Sequence, residues 1–314
     1  MRAARFHVFG GPDVLQLDEV EWPHPGPDEV LIRVRASSIN GTDLGLRQGE
    51  GPFRLTTRRP FTTGLDIAGD VVRVGAQVAA FEPGQQVYSL LGHGGGGAAE
   101  YVTAKASRVA LAPRRIPLTQ AAAVPLAGLT ALQALRIGAG SQLRAGARVL
   151  VYGASGGIGA FGVQLAKHFG AVVTGMARAE KLDFVRDLGA DDVLDAGDLA
   201  AAWRAGPWDV VFDTPPALSF TDVRPHLGAS GVYVSTRPFP TGVQDIGGML
   251  RRSGPRFAGV MTKERSQDLT FLARLLDEGN LRVPLDRVFA LSDMVEAHRY
   301  AEGGTVRGKV VVET

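Results

Sequence analysis

The stretch RVLVYGASGGIGAFGVQLAKHFGA, residues 148–171, decides the fold. RVLVYGA (148–154) is a continuous apolar run of strand character, and after it Ile158, Phe161 and Leu165 recur at helical spacing until Gly170 supplies a stop. Glycines stand between the two at 153, 156, 157 and 159. Glycine there lets the chain turn tightly and lets a pyrophosphate approach main-chain N–H groups at a helix N-terminus, where the helix dipole also favours an anion. The plainer reading is a strand-to-helix turn that merely needs positive φ. The order strand, turn, helix, second strand favours a dinucleotide site, to which Gly153, Ser155, Gly156, Gly157, Ile158 and Gly159 would contribute.

Working outward toward the C-terminus, AVVTGMA (171–177), DDVLDA (191–196), WDVVFDT (208–214) and GVYVST (231–236) read as further strands joined by helical or irregular links. Several β/α units in succession predict an α/β fold with a doubly wound parallel sheet of Rossmann type. Toward the N-terminus the texture differs. EVLIRVRAS (29–37), IAGDVVRVGA (67–76), QQVYSLL (85–91) and AEYVTA (99–104) are short strands broken by Gly and Pro, and an Ala- and Leu-rich stretch begins near Thr119. A late helix carrying Leu269, Leu272, Leu275 and Leu276 stops at Gly279, and strand character returns in KVVVE (309–313). The tail is expected to rejoin the N-terminal β part. The predicted division is residues 1–117 plus 285–314 for a β-rich domain and 118–284 for the nucleotide-binding domain.

The end of the second strand selects the cofactor. An NAD site presents Asp or Glu to the ribose 2′-OH about 20 residues past the turn. This chain has Ala177-Arg178 and then Lys181. Two cations without a carboxylate suit a 2′-phosphate and favour NADPH, against the alternative that both are ordinary solvated charges.

Composition narrows the function further. Hydrophobic residues at 45% and charged residues at 21% are globular values, and a formal charge of +2 with no basic block gives no footprint for nucleic acid or a membrane surface. Cysteine is absent, which removes disulfides, thiolate catalysis and cysteine-ligated metal. No apolar run approaches the roughly 18 residues of a membrane span, so a soluble cytoplasmic protein is expected.

The glycine spacing also fits short-chain dehydrogenases, whose Tyr-x-x-x-Lys pair follows the turn. Here the pair Tyr101 and Lys105 precedes it. The chain instead resembles the zinc-free quinone oxidoreductase branch of the medium-chain dehydrogenase/reductase superfamily. The blocks that carry the resemblance are SSINGTD (37–43), GLDIAGDVVRVG (64–75), GGAAEYV (96–102), AAAVPLAGLTALQAL (121–135), residues 149–171, LGADDVLD (188–195) and RGKVVV (307–312). AVPLAGLTALQAL and the segment from Asp209 to Arg237 look closest to the subgroup of mitochondrial reticulon-interacting reductases.

The resemblance implies a GroES-like β-rich domain interrupted by a Rossmann domain, a cleft between them for catalysis, and a homodimer. Zinc-dependent relatives carry Cys and His where this chain has Asn40 and Leu65, so the family's catalytic zinc is not expected. Without a Lewis acid the hydride acceptor must already be electrophilic, which favours a small-molecule quinone or α,β-unsaturated carbonyl over an alcohol. Asn40 is the candidate catalytic residue, orienting the nicotinamide or donating to a carbonyl oxygen, although Asn40-Gly41 is also a plain turn dipeptide. By the same resemblance Thr130, Val260 and Met261 lie near the nicotinamide. Departures are Gly45, where many relatives have Tyr, Ala196, where a Tyr often assists the 2′-phosphate, and Gly84-Gln85-Gln86-Val87 in place of G-D-R-V. No acid or base stands out. Two alternatives therefore stay open, an enoyl-thioester reductase and a cofactor-binding protein of mainly structural or regulatory role.

Overall fold

The computed structural model describes residues 1–237, 243–250 and 253–314. By contact the chain forms two compact units, Met1–Leu129 with Glu264–Thr314, and Thr130–Lys263. Segments 118–129 and 264–284, assigned from sequence to the nucleotide-binding domain, thus fall in the first unit by contact. The reason is visible in the helix Ser266–Asp277, which packs on the strand Val109–Leu111. The Tyr88 hydroxyl donates to the carbonyl of Leu269, and Asp277 accepts the backbone N–H groups of Arg114 and Arg115.

In the first unit the strand Glu29–Ile39 is the axis. Asp66–Val74 runs antiparallel along one edge, followed by Gln86–Leu90 and Val109–Leu111. Its other edge is shared end to end by Tyr101–Lys105 and Lys309–Glu313, with Leu285–Ala290 beyond the latter. The C-terminal tail therefore does rejoin the N-terminal β part. Val30, Ile32, Val34, Ile67, Val71 and Val87 fill the space between the strands, the inward half of the alternating pattern.

Register has a chemical consequence. Ser38 lies opposite Asp66 on one side and Val311 on the other, and Val310 lies opposite Ile39. Asn40, Asp66 and Lys309 are consequently delivered to one end of three neighbouring strands.

In the second unit six parallel strands run in the order Asp192–Asp195, Val172–Ala177, Arg148–Tyr152, Trp208–Asp213, Leu227–Ser235, Arg256–Gly259. The third strand in chain order is at one edge and the first is central, so the winding direction reverses at Arg148–Tyr152. This is the doubly wound Rossmann sheet, with its switch point where the glycine turn leaves the sheet. The helix after the turn, Gly157–His168, is buried almost all round rather than on one stripe, and Ile158 is only half-buried. Among the described residues no helix is long and apolar enough to cross a membrane.

Candidate functional site

In the second unit, two positions of the glycine turn leave no room for a side chain. Gly153 has φ of 78°, and a Cβ there would stand 2.6 Å from Thr214 Oγ1 and 2.8 Å from Pro215 Cδ. At Gly159 a Cβ would lie 2.1 Å from the Gly153 carbonyl oxygen, so the helix can approach the strand only without a side chain. Gly156 is different. It is the N-cap of the helix, and a Cβ there would meet nothing nearer than 3.4 Å.

No side chain caps this helix. Its first-turn N–H groups, from Gly157 to Gly159, have no intrahelical acceptor by the geometry of a helix start, and buried Ser155 stands just before them. An uncapped helix N-terminus at the switch point of a parallel sheet fits an anion such as a pyrophosphate.

The end of the second Rossmann strand gives a mixed result. Arg178 is exposed immediately after Val172–Ala177, whereas Lys181 is buried at 7% exposure within the next turn. The reading of both as solvated surface charges therefore fails for Lys181.

Thr130 and the segment from 259 to 262 are brought together. Thr130 Oγ1 lies 2.6 Å from Thr262 Oγ1, and three residues on Gln133 exchanges two hydrogen bonds of 2.9 Å with the backbone of Lys263. Val260 is held by its N–H on Ser235, while the Met261 side chain beside it is 56% exposed. After Gln133 the helix widens into a π-helical turn, Ala134–Ala139, a feature frequent at functional sites.

In the first unit, Asn40 caps the helix Gly41–Gln48 and sits in a buried polar cluster. Its Nδ2 donates to Asp66 Oδ2 at 2.9 Å and to Asp43 Oδ2 at 3.2 Å, and its Oδ1 accepts from the Lys309 ammonium. Asp43 also accepts the N–H groups of Asn40 and Gly64, each at 3.0 Å. Asp66 further accepts from Ser38 Oγ at 2.6 Å and from the N–H of Leu126 at 2.8 Å. Burial, with Asp66 alongside, pushes the Asp43 carboxyl up to about 6, against the opposing effect of its hydrogen bonds from Asn40. Burial also raises Asp66 and lowers Lys309, each resisted by the other's charge.

This corrects one expectation for Asn40. Its amide N–H groups face the carboxylates of Asp66 and Asp43 and, at 3.5 Å, the Ser38 carbonyl, so donation to a substrate carbonyl is not available in this arrangement. Gly45, one turn along the same helix, leaves its space to Phe53 and Glu50, both 3.4 Å from where a Cβ would stand. Sequence reasoning missed Asp43, Asp66, Lys309, Gln133 and Thr262. Their signal was present as charged or polar residues inside the blocks SSINGTD, GLDIAGDVVRVG, AAAVPLAGLTALQAL and RGKVVV and, for Thr262, directly after Met261, but nothing in one sequence says that these blocks meet.

Asn40 and Leu65 stand where a zinc-dependent relative would carry ligands. Leu65 is a buried apolar residue, and an ammonium already faces Asn40. With no cysteine in the chain, and no group of three His, Asp or Glu placed to hold an ion among the described residues, the donor set does not fit zinc.

Comparison with known proteins places the architecture. Residues 26–114 match the alcohol dehydrogenase GroES-like domain and residues 188–312 match the zinc-binding dehydrogenase family. The chain is 35% identical, over 100% of its length and 98% of the relative's, to the chloroplastic quinone-oxidoreductase QR1 of Triphysaria versicolor. The chain thus belongs to the medium-chain dehydrogenase/reductase superfamily of oxidoreductases.

Within that superfamily its relatives include quinone oxidoreductases and NAD(P)H oxidoreductases. The mitochondrial NAD(P)H oxidoreductase RTN4IP1 of Bos taurus is 31% identical over 91% of this chain and 82% of that protein. The solved quinone oxidoreductase of Coxiella burnetii superposes with a TM-score of 0.90 at 32% identity, covering 100% and 99% of the two chains.

Gly159→Ala is expected to lower the melting temperature markedly, because the added carbon displaces backbone, at a cost of about 1–3 kcal/mol or more. Gly156→Ala is expected to leave it nearly unchanged, and thermal unfolding of the two variants checks the contrast. For Asp43, a folded pKa of about 6 lies above the roughly 3.9 of an unfolded Asp. Its contribution to stability is therefore intact below about pH 4 and is lost as pH rises through 6. The carboxyl carbon-13 resonance of Asp43 should titrate near pH 6, and a midpoint near 4 contradicts this.

Proposed function

We propose that this protein is a zinc-independent, NADPH-dependent reductase that delivers hydride to a quinone or an α,β-unsaturated carbonyl. The observation that carries the reading is the glycine turn. Gly159 lies against the Gly153 carbonyl, and the helix that follows offers first-turn N–H groups with no side-chain cap. Gly153, Ser155, Gly156, Gly157, Ile158 and Gly159 would hold the pyrophosphate, and Arg178 with Lys181 the 2′-phosphate. Thr130, Val260 and Met261 would line the nicotinamide end. Bound NADPH supplies the hydride from C4. The chain's own task is then to orient that end, to keep water away and to admit an acceptor that is already electrophilic, since its donor set does not suit a Lewis-acid metal.

The superfamily relatives support the substrate class, two of them being quinone oxidoreductases by name. A second reading has its own observation. Asn40 has no N–H left to donate and no exposed acid stands beside it, which suits a protein that binds NADPH mainly for a structural or regulatory purpose. Enoyl thioesters remain candidate acceptors within the first reading. A homodimer is the assembly that the resemblance carries.

Stopped-flow oxidation of NADPH against a panel of quinones, enones and crotonyl thioesters is expected to show turnover on the first two. Inactivity across the panel with tight NADPH binding supports the regulatory reading, and a thioester preference moves the substrate class. Replacing Arg178 by Ala is expected to weaken NADPH binding about tenfold with little change for NADH, measured by nicotinamide fluorescence. Equal losses for both cofactors count against the 2′-phosphate contact.

A further inference from the structure

The last strand of the second unit ends at Gly259, and four residues, Val260 to Lys263, continue beyond it. The first of them is still tied to the sheet, since the Val260 N–H donates to the Ser235 carbonyl at 2.9 Å. Peptide groups past the end of a strand are ordinarily left to water, and such a segment frays. Here its far end is held by a side chain. Gln133 Nε2 donates to the Lys263 carbonyl and Gln133 Oε1 accepts the Lys263 N–H, both at 2.9 Å. One primary amide thus does for this residue what a neighbouring strand would do, with a donor and an acceptor side by side. Gln133 is 3% exposed, and only one orientation of its amide satisfies both partners.

Other contacts within the unit brace the same region. Thr262 Oγ1 lies 2.6 Å from Thr130 Oγ1, three residues before Gln133. The π-helical turn Ala134–Ala139 that follows Gln133 is tied to the last strand by the Arg256 guanidinium, which donates to the Ala139 carbonyl at 3.3 Å. At Gly138 this turn comes so close to the sheet that a Cβ would stand 2.8 Å from Val234.

Between the pinned ends, the peptide N–H and C=O groups of Met261 and Thr262 have no hydrogen-bond partner among the described residues. Two successive residues are therefore held in place with their donors and acceptors unspent. They lie past the carboxyl end of a parallel strand, where open α/β sheets take their ligands. A primary carboxamide, with one acceptor oxygen and an NH₂ donor, is the complement of such a peptide.

We propose that Gln133 is a positioning residue, whose amide fixes Lys263 and so holds the peptide groups of Met261 and Thr262 for the carboxamide of the nicotinamide. The step deepens the NADPH reading above and rests on it. Gln133 acts through the backbone that it holds.

Hydrogen exchange of the cofactor-free chain is the first test. The amide of Lys263 should exchange at least tenfold more slowly than those of Met261 and Thr262, and Gln133→Leu, which keeps the bulk of the side chain, should remove the difference. Equal exchange at the three positions in the unmodified chain overturns the clasp, with no variant needing to fold. So does unchanged protection of Lys263 in folded Gln133→Leu.

Binding then separates positioning from packing. Gln133→Leu should bind NADPH about tenfold more weakly, while 2′-phospho-ADP-ribose, which has no nicotinamide, binds as it does to the unmodified chain. The unmodified chain should also prefer NADPH to its 3-acetylpyridine analogue, which has no amide protons, and the preference should vanish in Gln133→Leu. Equal losses for NADPH and 2′-phospho-ADP-ribose, or a preference that survives the substitution, overturn the positioning role. A chain that binds no NADPH before any substitution defeats the cofactor reading itself, whereas NADPH binding that Gln133→Leu does not change defeats this inference alone.

Discussion

The Asp66 carboxylate is the interaction on which the first unit turns. It sits at the end of a strand whose register against Glu29–Ile39 is held by a ladder of backbone hydrogen bonds, and it receives Ser38 and Asn40 from that neighbour. Lys309 arrives from the opposite edge through the pairing of Lys309–Glu313 with the same central strand. Leu126 arrives from the helix above. A one-residue slip in either ladder would turn these side chains to the other face and leave a buried charge unpaired. The C-terminal tail is thus held by electrostatics as well as by the apolar run Val310–Val312.

The second unit depends on a steric constraint instead. The helix Gly157–His168 is buried on nearly every side, and it reaches the sheet because Gly159 brings no Cβ against Gly153. Close approach has two effects that cannot be separated. It seats the helix in the sheet, and it aims the N–H groups of the first turn outward from the switch point, where an anion gains from both hydrogen bonds and the dipole. The same glycine that packs the fold therefore also shapes the turn at the helix N-terminus.

The two arrangements differ in kind: the glycine turn leaves its first-turn N–H groups without a side-chain cap, while Asn40 is enclosed by Asp43, Asp66 and Lys309. Asp43 adds a pH sensitivity near 6 to the second, since a charge there adds to Asp66 with Lys309 as the cation that faces both.

Much of this was legible in the chain. Five of the six parallel strands and the glycine turn followed from local pattern, because apolar period and turn chemistry are properties of neighbouring residues; the edge strand Arg256–Gly259 was not among them. KVVVE at 309–313 was read to the residue, while the helix expected to stop at Gly279 ends at Asp277, with Glu278 as its cap. The strand Leu227–Ser235 began four residues earlier than its apolar core suggested, since polar ends of strands carry no periodic signal. What the sequence by itself determined was the class of fold, the glycine turn, the absence of cysteine ligands and the family. What only the tertiary structure decided was which charges meet. Asp43, Asp66 and Lys309 lie 23 and 243 positions apart along the chain, and only strand register brings them around Asn40. Pairing across a sheet is set by the whole ladder, so no single residue announces it.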